Sequence, residues 1–308
     1  DLHSFPTRRS SDLNLFMPFA FESFDLSAYQ LVIAVSSFAA KGVLTKPHQL
    51  FICYLLTPTR FLFSHQSVYL SWWQKIFSAP VRAYLRAWDR VAIYRPDVVI
   101  AISQLVASRC QQFYGRCVDE VIYPTIIPDY FLPPDKTVNK DYFLVVSRLV
   151  PYKKIALVVR SCGELGLPLK VIGSGAQLLL LKKMVKKNHW QHIKFLANVD
   201  NHALPEYYRH AIALIAPAKE DFGINLLEAN SCGTLVVTHC QSGARELLNQ
   251  QVAKDLNRAD LASLKKLLKQ FCTDERKNWS VKFLGYNTNS FMQLFKSMQE
   301  KYYASQKS

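Results

Sequence analysis

No apolar run in the 308-residue chain approaches the ~20 residues that a helix needs to cross a bilayer, which argues against a membrane-spanning protein. Close CxxC pairs are also lacking, and no histidine stands beside a cysteine at zinc-ligand spacing. The cysteines, at 53, 110, 117, 162, 232, 240 and 272, are odd in number and scattered through apolar segments, so they read as reduced core thiols of a cytosolic protein. Fixed-period repeats and low-complexity stretches are absent, which leaves hydrophobic periodicity as the guide to organisation.

The composition is that of a globular protein, half hydrophobic and a fifth charged, and the length allows two domains, each with its own core. The net charge of +15 is unevenly placed. Residues 14–138 hold 11 Lys/Arg against 8 Asp/Glu, whereas 139–308 hold 25 against 13. Such a basic half suits nucleic acid, anionic lipid or a phosphorylated ligand, and charge alone does not choose among them.

Residues 3–13, "HSFPTRRSSDL", resemble the conceptual translation of a sequencing-library adapter. Residues 1–13 are therefore set aside from fold reasoning, with the expectation that the natural start and the first strands of the N-terminal domain are missing. Short β-branched runs then alternate with helical patterns: "QLVIAVSS" (30–37), "QLFICYL" (49–55), "DVVIAIS" (97–103) and "EVIYP" (120–124). This is the signature of a parallel sheet with helical crossovers. A proline-bearing stretch at 125–140 reads as a linker. The alternation restarts with strands at 141–147, 168–173, 193–196, 211–217 and 234–239, and with helices near 153–165, 176–187, 203–210 and 224–231. The expected division is a partial Rossmann-like domain over 14–135, a second doubly wound Rossmann-like domain over 136–275 and a helical segment over 276–308.

"AKEDFGINLLEANSCG" (218–233) places Glu220 and Glu228 around an Asp-Phe-Gly turn that follows a strand. At a strand's C-terminal end Gly223 lets the backbone approach a ligand, and the amides of Gly223, Ile224 and Asn225 become helix-start donors suited to a phosphate. Glu228 lies about five residues further, roughly 7.5 Å along the axis, where a carboxylate can accept from the two hydroxyls of a ribose. Glu220 would face the other end of the same ligand. The same spacing also fits a helix capped by acidic residues, which the macrodipole favours, and spacing leaves both readings open.

"VVSRLVPYKK" puts Arg148 and Lys153 just past another strand, after Ser147. Two cations there can clamp a diphosphate, Arg as a planar fork and Lys as a point charge. With Gly173 in "VIGSGAQ" (171–177), they outline one crevice at the sheet's edge.

"FLVVSRLVPYKK", "ELGLPLKVIGSGA", "IKFLANV" and "AKEDFGINLLEANSCGTLVVTHCQSGARELL" resemble the donor-binding domain of the retaining glycosyltransferases of family four, the glycosyl transferases group 1. "FESFDLSAYQLVIAVSSFAAKGV" and "LTPTRF" are similar to the bacterial mannosyltransferase-like branch, and the likeness covers about residues 14–300. The resemblance implies a GT-B α/β architecture, two doubly wound Rossmann-like domains facing across a cleft, with the N-terminal one incomplete. It implies transfer of a hexose, mannose foremost, from a nucleotide sugar such as GDP-mannose onto a lipid-linked or polysaccharide acceptor, as in lipopolysaccharide assembly, with retention of configuration. It also implies catalysis without a metal or other cofactor. Carried over by position, Glu220, Arg148 and Lys153 are the catalytic candidates. Ser147, Gly173, Phe222, Gly223, Ile224, Asn225 and Glu228 are the donor-binding ones, and Thr57 and Arg60 stand on the acceptor side. The sequence departs from the pattern at Leu56, where the branch has a histidine, and a leucine neither hydrogen-bonds a sugar hydroxyl nor shuttles a proton. A catalytically impaired nucleotide-binding or membrane-associated domain is the alternative that this departure keeps open.

Residues 60–90 interleave Trp72, Trp73, Phe77, Tyr84 and Trp88 with Lys75, Arg82, Arg86 and Arg90. This pattern suits the interface of an anionic membrane, and so a cytoplasmic protein peripheral to the inner face of the plasma membrane. It equally suits two helices, broken at Pro80, that pack their aromatics inward. The lysines of 181–194 read as a solvated helix face and not as a nucleic-acid patch. His189 and His192 have no ligand beside them, and His65 and His239 read as satisfied core or surface groups.

Overall fold

The computed structural model describes residues 10–63, 79–126, 130–136, 138–197 and 199–273, in two compact units that divide between Tyr123 and Pro124. The first unit contains α1 (Ser10–Glu22), β1 (Leu31–Ser36), β2 (Leu50–Leu55), the single turn α2 (Arg60–Phe63), α3 (Ala79–Ala92), β3 (Val98–Ala101), α4 (Gln104–Tyr114) and β4 (Glu120–Val121). Its four strands are parallel and lie in chain order, β1-β2-β3-β4. The apolar runs at β2 and β3 are buried because helices pack on parallel strands. Ser103 starts α4 by accepting from the Val106 amide at 3.1 Å, and Gly115 ends it in a left-handed conformation at φ 73°.

Within this unit Lys41 and Asp89 form a fully buried ion pair, Nζ to Oδ1 2.5 Å. The Thr59 hydroxyl donates to the same Asp89 oxygen at 3.0 Å, and Tyr114 Oη donates to the other at 2.7 Å. Burial makes each charge costly unless partnered, and here both are. The network ties the "TPTR" segment to α3 and α4.

The second unit contains β5 (Tyr142–Val146), α5 (Ile155–Leu165), β6 (Leu169–Ile172), α6 (Leu178–Lys187), β7 (Ile193–Leu196), α7 (Leu204–Arg209), β8 (Ala211–Ala216), α8 (Ile224–Ser231), β9 (Leu235–His239), β10 (Ala253–Leu256) and α9 (Leu261–Thr273). All six strands are parallel, in the order β10-β9-β8-β5-β6-β7. The chain moves outward from β5 to β7, crosses back, and builds β8, β9 and β10 on the other side. That reversal places a switch point between β5 and β8, where loops diverge and leave a crevice. Val145, Val171, Ile215 and Val237 of the sheet pack with Ile155, Val158, Val159 and Cys162 of α5 and with Leu264 and Leu268 of α9. Each such side chain contributes about 1.5–3 kcal/mol on burial.

Four expectations change. The stretch read as a linker packs on the second unit where it is described: Ile126 and Phe131 are buried, and the Phe131 ring meets Tyr208 edge-on at 6.0 Å. The second unit accordingly begins at Pro124, earlier than the expected boundary at 135/136. Strand β10 was not anticipated. Cys117 is exposed and Cys240 half-buried, while Cys53, Cys110, Cys162 and Cys232 are buried as expected.

Of residues 1–13, only Ser10 onward is described, as the start of α1. The segment 276–308 lies outside the described residues, as do His65, Trp72, Trp73, Lys75 and Phe77. In the described part of 60–90, Trp88 is buried and donates to Glu22 Oε1 at 2.6 Å, while Tyr84 is exposed. The lysines of α6 at 182, 183, 186 and 187 are exposed and Leu181 is buried, as expected of a solvated face. Among the described residues no helix is long and apolar enough to cross a membrane.

Candidate functional site

Two loops are zipped together beyond β5 and β6. The Leu149 amide donates to Ser174 O at 2.8 Å and the Gln177 amide to Leu149 O at 2.9 Å. Gly173, at φ 137°, sits against the β5 loop so closely that a Cβ would lie 2.0 Å from the Ser147 carbonyl oxygen. Only glycine allows both the conformation and the approach. This contact fixes the course of the backbone that carries Ser147, Arg148 and Lys153. Ser147 turns its hydroxyl onto Arg148 O at 3.2 Å. Arg148 is exposed, and its guanidinium donates to Tyr152 Oη at 2.6 Å.

The loop beyond β8 is held from the other side. Ser242, past the end of β9, donates to Ala218 O at 3.2 Å and accepts from the Glu220 amide at 3.3 Å. The Gly243 amide donates to Glu220 O at 3.0 Å, and the Ala244 amide to Phe222 O at 2.8 Å. Phe222 is buried, while Ile224 is exposed. Gly223 occupies the left-handed region at φ 90° and starts α8. Asn225, in the first turn, donates from Nδ2 to Val146 O at 3.0 Å, so the helix start is moored to the end of β5.

Across the switch point the two loops meet. Lys153 Nζ donates to both carboxylate oxygens of Glu220, and each side chain is largely buried, 14% and 12% exposed. Glu228, the fifth residue of α8, is held differently: Tyr208 Oη donates to its Oε2 at 2.7 Å. Burial raises the Glu228 carboxyl above its ordinary range and the Tyr208 hydrogen bond offsets part of that rise. The Tyr208 phenol is pushed well above its usual value by burial and by the nearby carboxylate, so it remains a donor.

These partners tell against the capping reading. Glu220 is engaged by Lys153 and Glu228 by Tyr208, so neither carboxylate caps the helix. The structure thus brings together Ser147, Lys153, Gly173, Glu220 and Asn225 at one end of the crevice. Thr57 and Arg60 belong to the other unit, and the Thr57 hydroxyl donates to Pro58 O at 2.9 Å. His239 is half-buried at the end of β9, and its Nδ1 accepts from the Gln241 amide at 3.1 Å.

Sequence reasoning missed Tyr208 and Ser242. Ser242 had a turn signal in its Ser-Gly pair after a strand. Nothing in "LPEYYRH" separates Tyr208 from its neighbour Tyr207 or links it to a carboxylate 20 positions later.

Two parallel-sheet units in one chain, the second with charged loops at its strand reversal, match the α/β architecture of the GT-B glycosyltransferases. A sucrose-phosphate synthase from Thermosynechococcus elongatus is similar over 99% of this chain and 82% of its own, with a TM-score of 0.74 at 15% identity. HepE from Anabaena, in complex with UDP and glucose, is similar over 82% of this chain and 71% of its own, with a TM-score of 0.62 at 17% identity. The model of the family "Glycosyl transferases group 1" matches residues 129–282, half of the chain, and the chain belongs to that family. The D-inositol 3-phosphate glycosyltransferase of Frankia alni is 27% identical over 183 residues. That match spans 48% of this chain and 45% of the relative, less than half of its length.

Proposed function

We propose that this chain is the catalytic part of a retaining hexosyltransferase that uses a nucleotide sugar. The observation that carries the reading is the meeting of Lys153 and Glu220 over the switch point, beside a helix start moored to β5. A diphosphate seated there would take Lys153 away from Glu220 and gain Arg148 and the α8 amides as partners. As the bond between sugar and phosphate breaks, negative charge grows on the leaving oxygen, and fixed cations stabilise it most at that moment. Glu228 would accept from the ribose hydroxyls. Glu220, freed from Lys153, would orient the transferred sugar with the Phe222-Gly223-Ile224 turn. The two cations fill the electrostatic role of a metal, so the reaction is proposed to need none.

The nucleotide-sugar class is supported by HepE, whose complexes hold UDP and glucose. The resemblance to the mannosyltransferase-like branch supports GDP-mannose as donor and a lipid-linked saccharide as acceptor, at the cytoplasmic face of the membrane. The test is release of nucleoside diphosphate from GDP-mannose and UDP-glucose in the presence of polyprenyl-linked saccharides, with and without EDTA, and with the anomeric configuration of the product read by NMR. Turnover with retention, unchanged by EDTA, is expected. Nucleotide binding without turnover would instead support the catalytically impaired reading that Leu56 keeps open, and no nucleotide binding would overturn the nucleotide-sugar reading.

A further inference from the structure

Resting on the reading of Glu228 as the ribose-binding carboxylate, we infer that Tyr208 is a positioning residue for that carboxylate and makes nucleotide recognition depend on the ribose hydroxyls. The geometry divides the carboxylate's two oxygens between protein and ligand. Oε2 is taken by Tyr208 Oη at 2.7 Å, and Oε1 has no hydrogen-bond partner among the described residues. Tyr208 itself cannot move away. It is fully buried, its ring meets Phe131, and Thr234 Oγ1 donates to its carbonyl oxygen. A phenol locked in this way does two things. It selects one rotamer of Glu228, so that Oε1 is left to a ligand without an ordering cost at the moment of binding. It also favours the ionised carboxylate, the form that accepts two hydroxyl donors.

The groups facing Glu228 leave this task to Tyr208. Tyr130 lies within its field, with a buried hydroxyl that has no partner among the described residues. Cys232, which caps the C-terminal end of α8, carries a thiol pushed up to about 12 by burial and is therefore neutral. Arg209 and Lys140 act on Cys232 and are not among the causes of the Glu228 shift. Burial raises the carboxyl, and the Tyr208 hydroxyl supplies the opposing influence.

The experiment is calorimetric titration of UDP and GDP, and of the 2′,3′-dideoxy form of the tighter binder, into the whole chain over a series of buffers from acid to neutral pH, because the Glu228 carboxyl is raised from its ordinary value. Tyr208→Phe keeps the ring and its packing and removes only the donor. It is expected to lose about tenfold in affinity for the ribonucleotide at neutral pH, the scale of one hydrogen bond to a charged group. The dideoxy nucleotide should bind as in the wild type, which also reports a folded domain. The pH at which ribonucleotide affinity declines on acidification should move upward, because the carboxyl of the variant takes up its proton earlier. Equal losses for ribo and dideoxy forms, or an unmoved pH profile, would reduce Tyr208 to a packing residue and overturn the inference. Glu228→Gln separates this failure from a failure of the underlying reading. If it leaves the preference for ribose intact, the assignment of Glu228 is wrong. If it abolishes that preference while Tyr208→Phe does not, only the role of Tyr208 falls.

Discussion

Lys153 and Glu220 stand 67 positions apart in sequence and close an ion pair over the gap between β5 and β8. The strand order makes this meeting possible, because β6 and β7 are laid down on the far side before the chain returns to flank β5. The pair also sets a competition. On the proposed reading, Glu220 holds the cation that a diphosphate would need.

This competition separates the two partners experimentally. Glu220→Gln is expected to tighten binding of UDP or GDP severalfold, because Lys153 is released, and to lower transfer about a hundredfold or more through loss of a sugar-orienting group. Lys153→Gln should weaken nucleotide binding and transfer together. Calorimetry paired with steady-state kinetics reads both, and weaker nucleotide binding by Glu220→Gln would contradict the competition.

Gly173 and Gly166 offer a matched comparison, since both adopt positive φ, 137° and 66°. A Cβ at Gly166 meets nothing within 4 Å, whereas at Gly173 it would collide with the Ser147 carbonyl. Gly166→Ala should cost about 1–2 kcal/mol, the penalty of left-handed backbone alone. Gly173→Ala should cost about 2–4 kcal/mol and also impair nucleotide binding, because the β5 loop must shift. Urea denaturation of each variant gives the difference.

The buried Lys41–Asp89 pair should behave asymmetrically. Asp89→Ala leaves a lysine without its counter-charge and strands the hydroxyls of Thr59 and Tyr114, so a loss of about 3–5 kcal/mol is expected. Replacing both members with apolar residues, Lys41→Met with Asp89→Leu, should recover a substantial part of that loss. Equal destabilisation by the single and double replacements would show that the surrounding hydroxyls, and not the stranded charge, dominate.

Glu228 ties stability to pH with a definite sign. Its carboxyl is raised in the folded state by burial, against a smaller lowering by Tyr208, so the native chain keeps a proton that the unfolded chain has already released. Stability contributed at this position is therefore present at acid pH and declines as pH rises from the ordinary carboxylate range through the folded value. Glu228→Gln removes that decline. Its melting temperature relative to the wild type should be lowest in acid, rise through this window and level off above it, as a series of melts in matched buffers would show. A difference that stays constant with pH would contradict the assignment.

Most of the second sheet was legible because its strands announce themselves by composition. "IKFL" at 193–196 became β7 and "INLLEANS" at 224–231 became α8, residue for residue, since each apolar pattern is bounded by loop residues. Strand β10 escaped notice because "AKDL" carries two charges in four residues. It is an edge strand, where such charges are tolerated, and Asp255 is paired with Arg245 at 2.5 Å. The prolines within 125–140 spoke for an interdomain linker, yet Ile126 and Phe131 supply apolar anchors that hold the stretch to the second unit. In the site, the residues placed by loop position, Ser147, Lys153, Gly173, Glu220 and Asn225, were accessible to spacing arguments. Tyr208 was not, because what singles it out is a tertiary partner.

The two glutamates that frame the crevice hang from separate fastenings, Glu220 from Ser242 and Gly243 that follow β9, Glu228 from Tyr208 that precedes β8. Because these fastenings share no residue, one can be altered while the other keeps its geometry. On the roles proposed for them, redesigning recognition of the transferred group at Glu220 and of its carrier at Glu228 would become two separable engineering problems on one backbone.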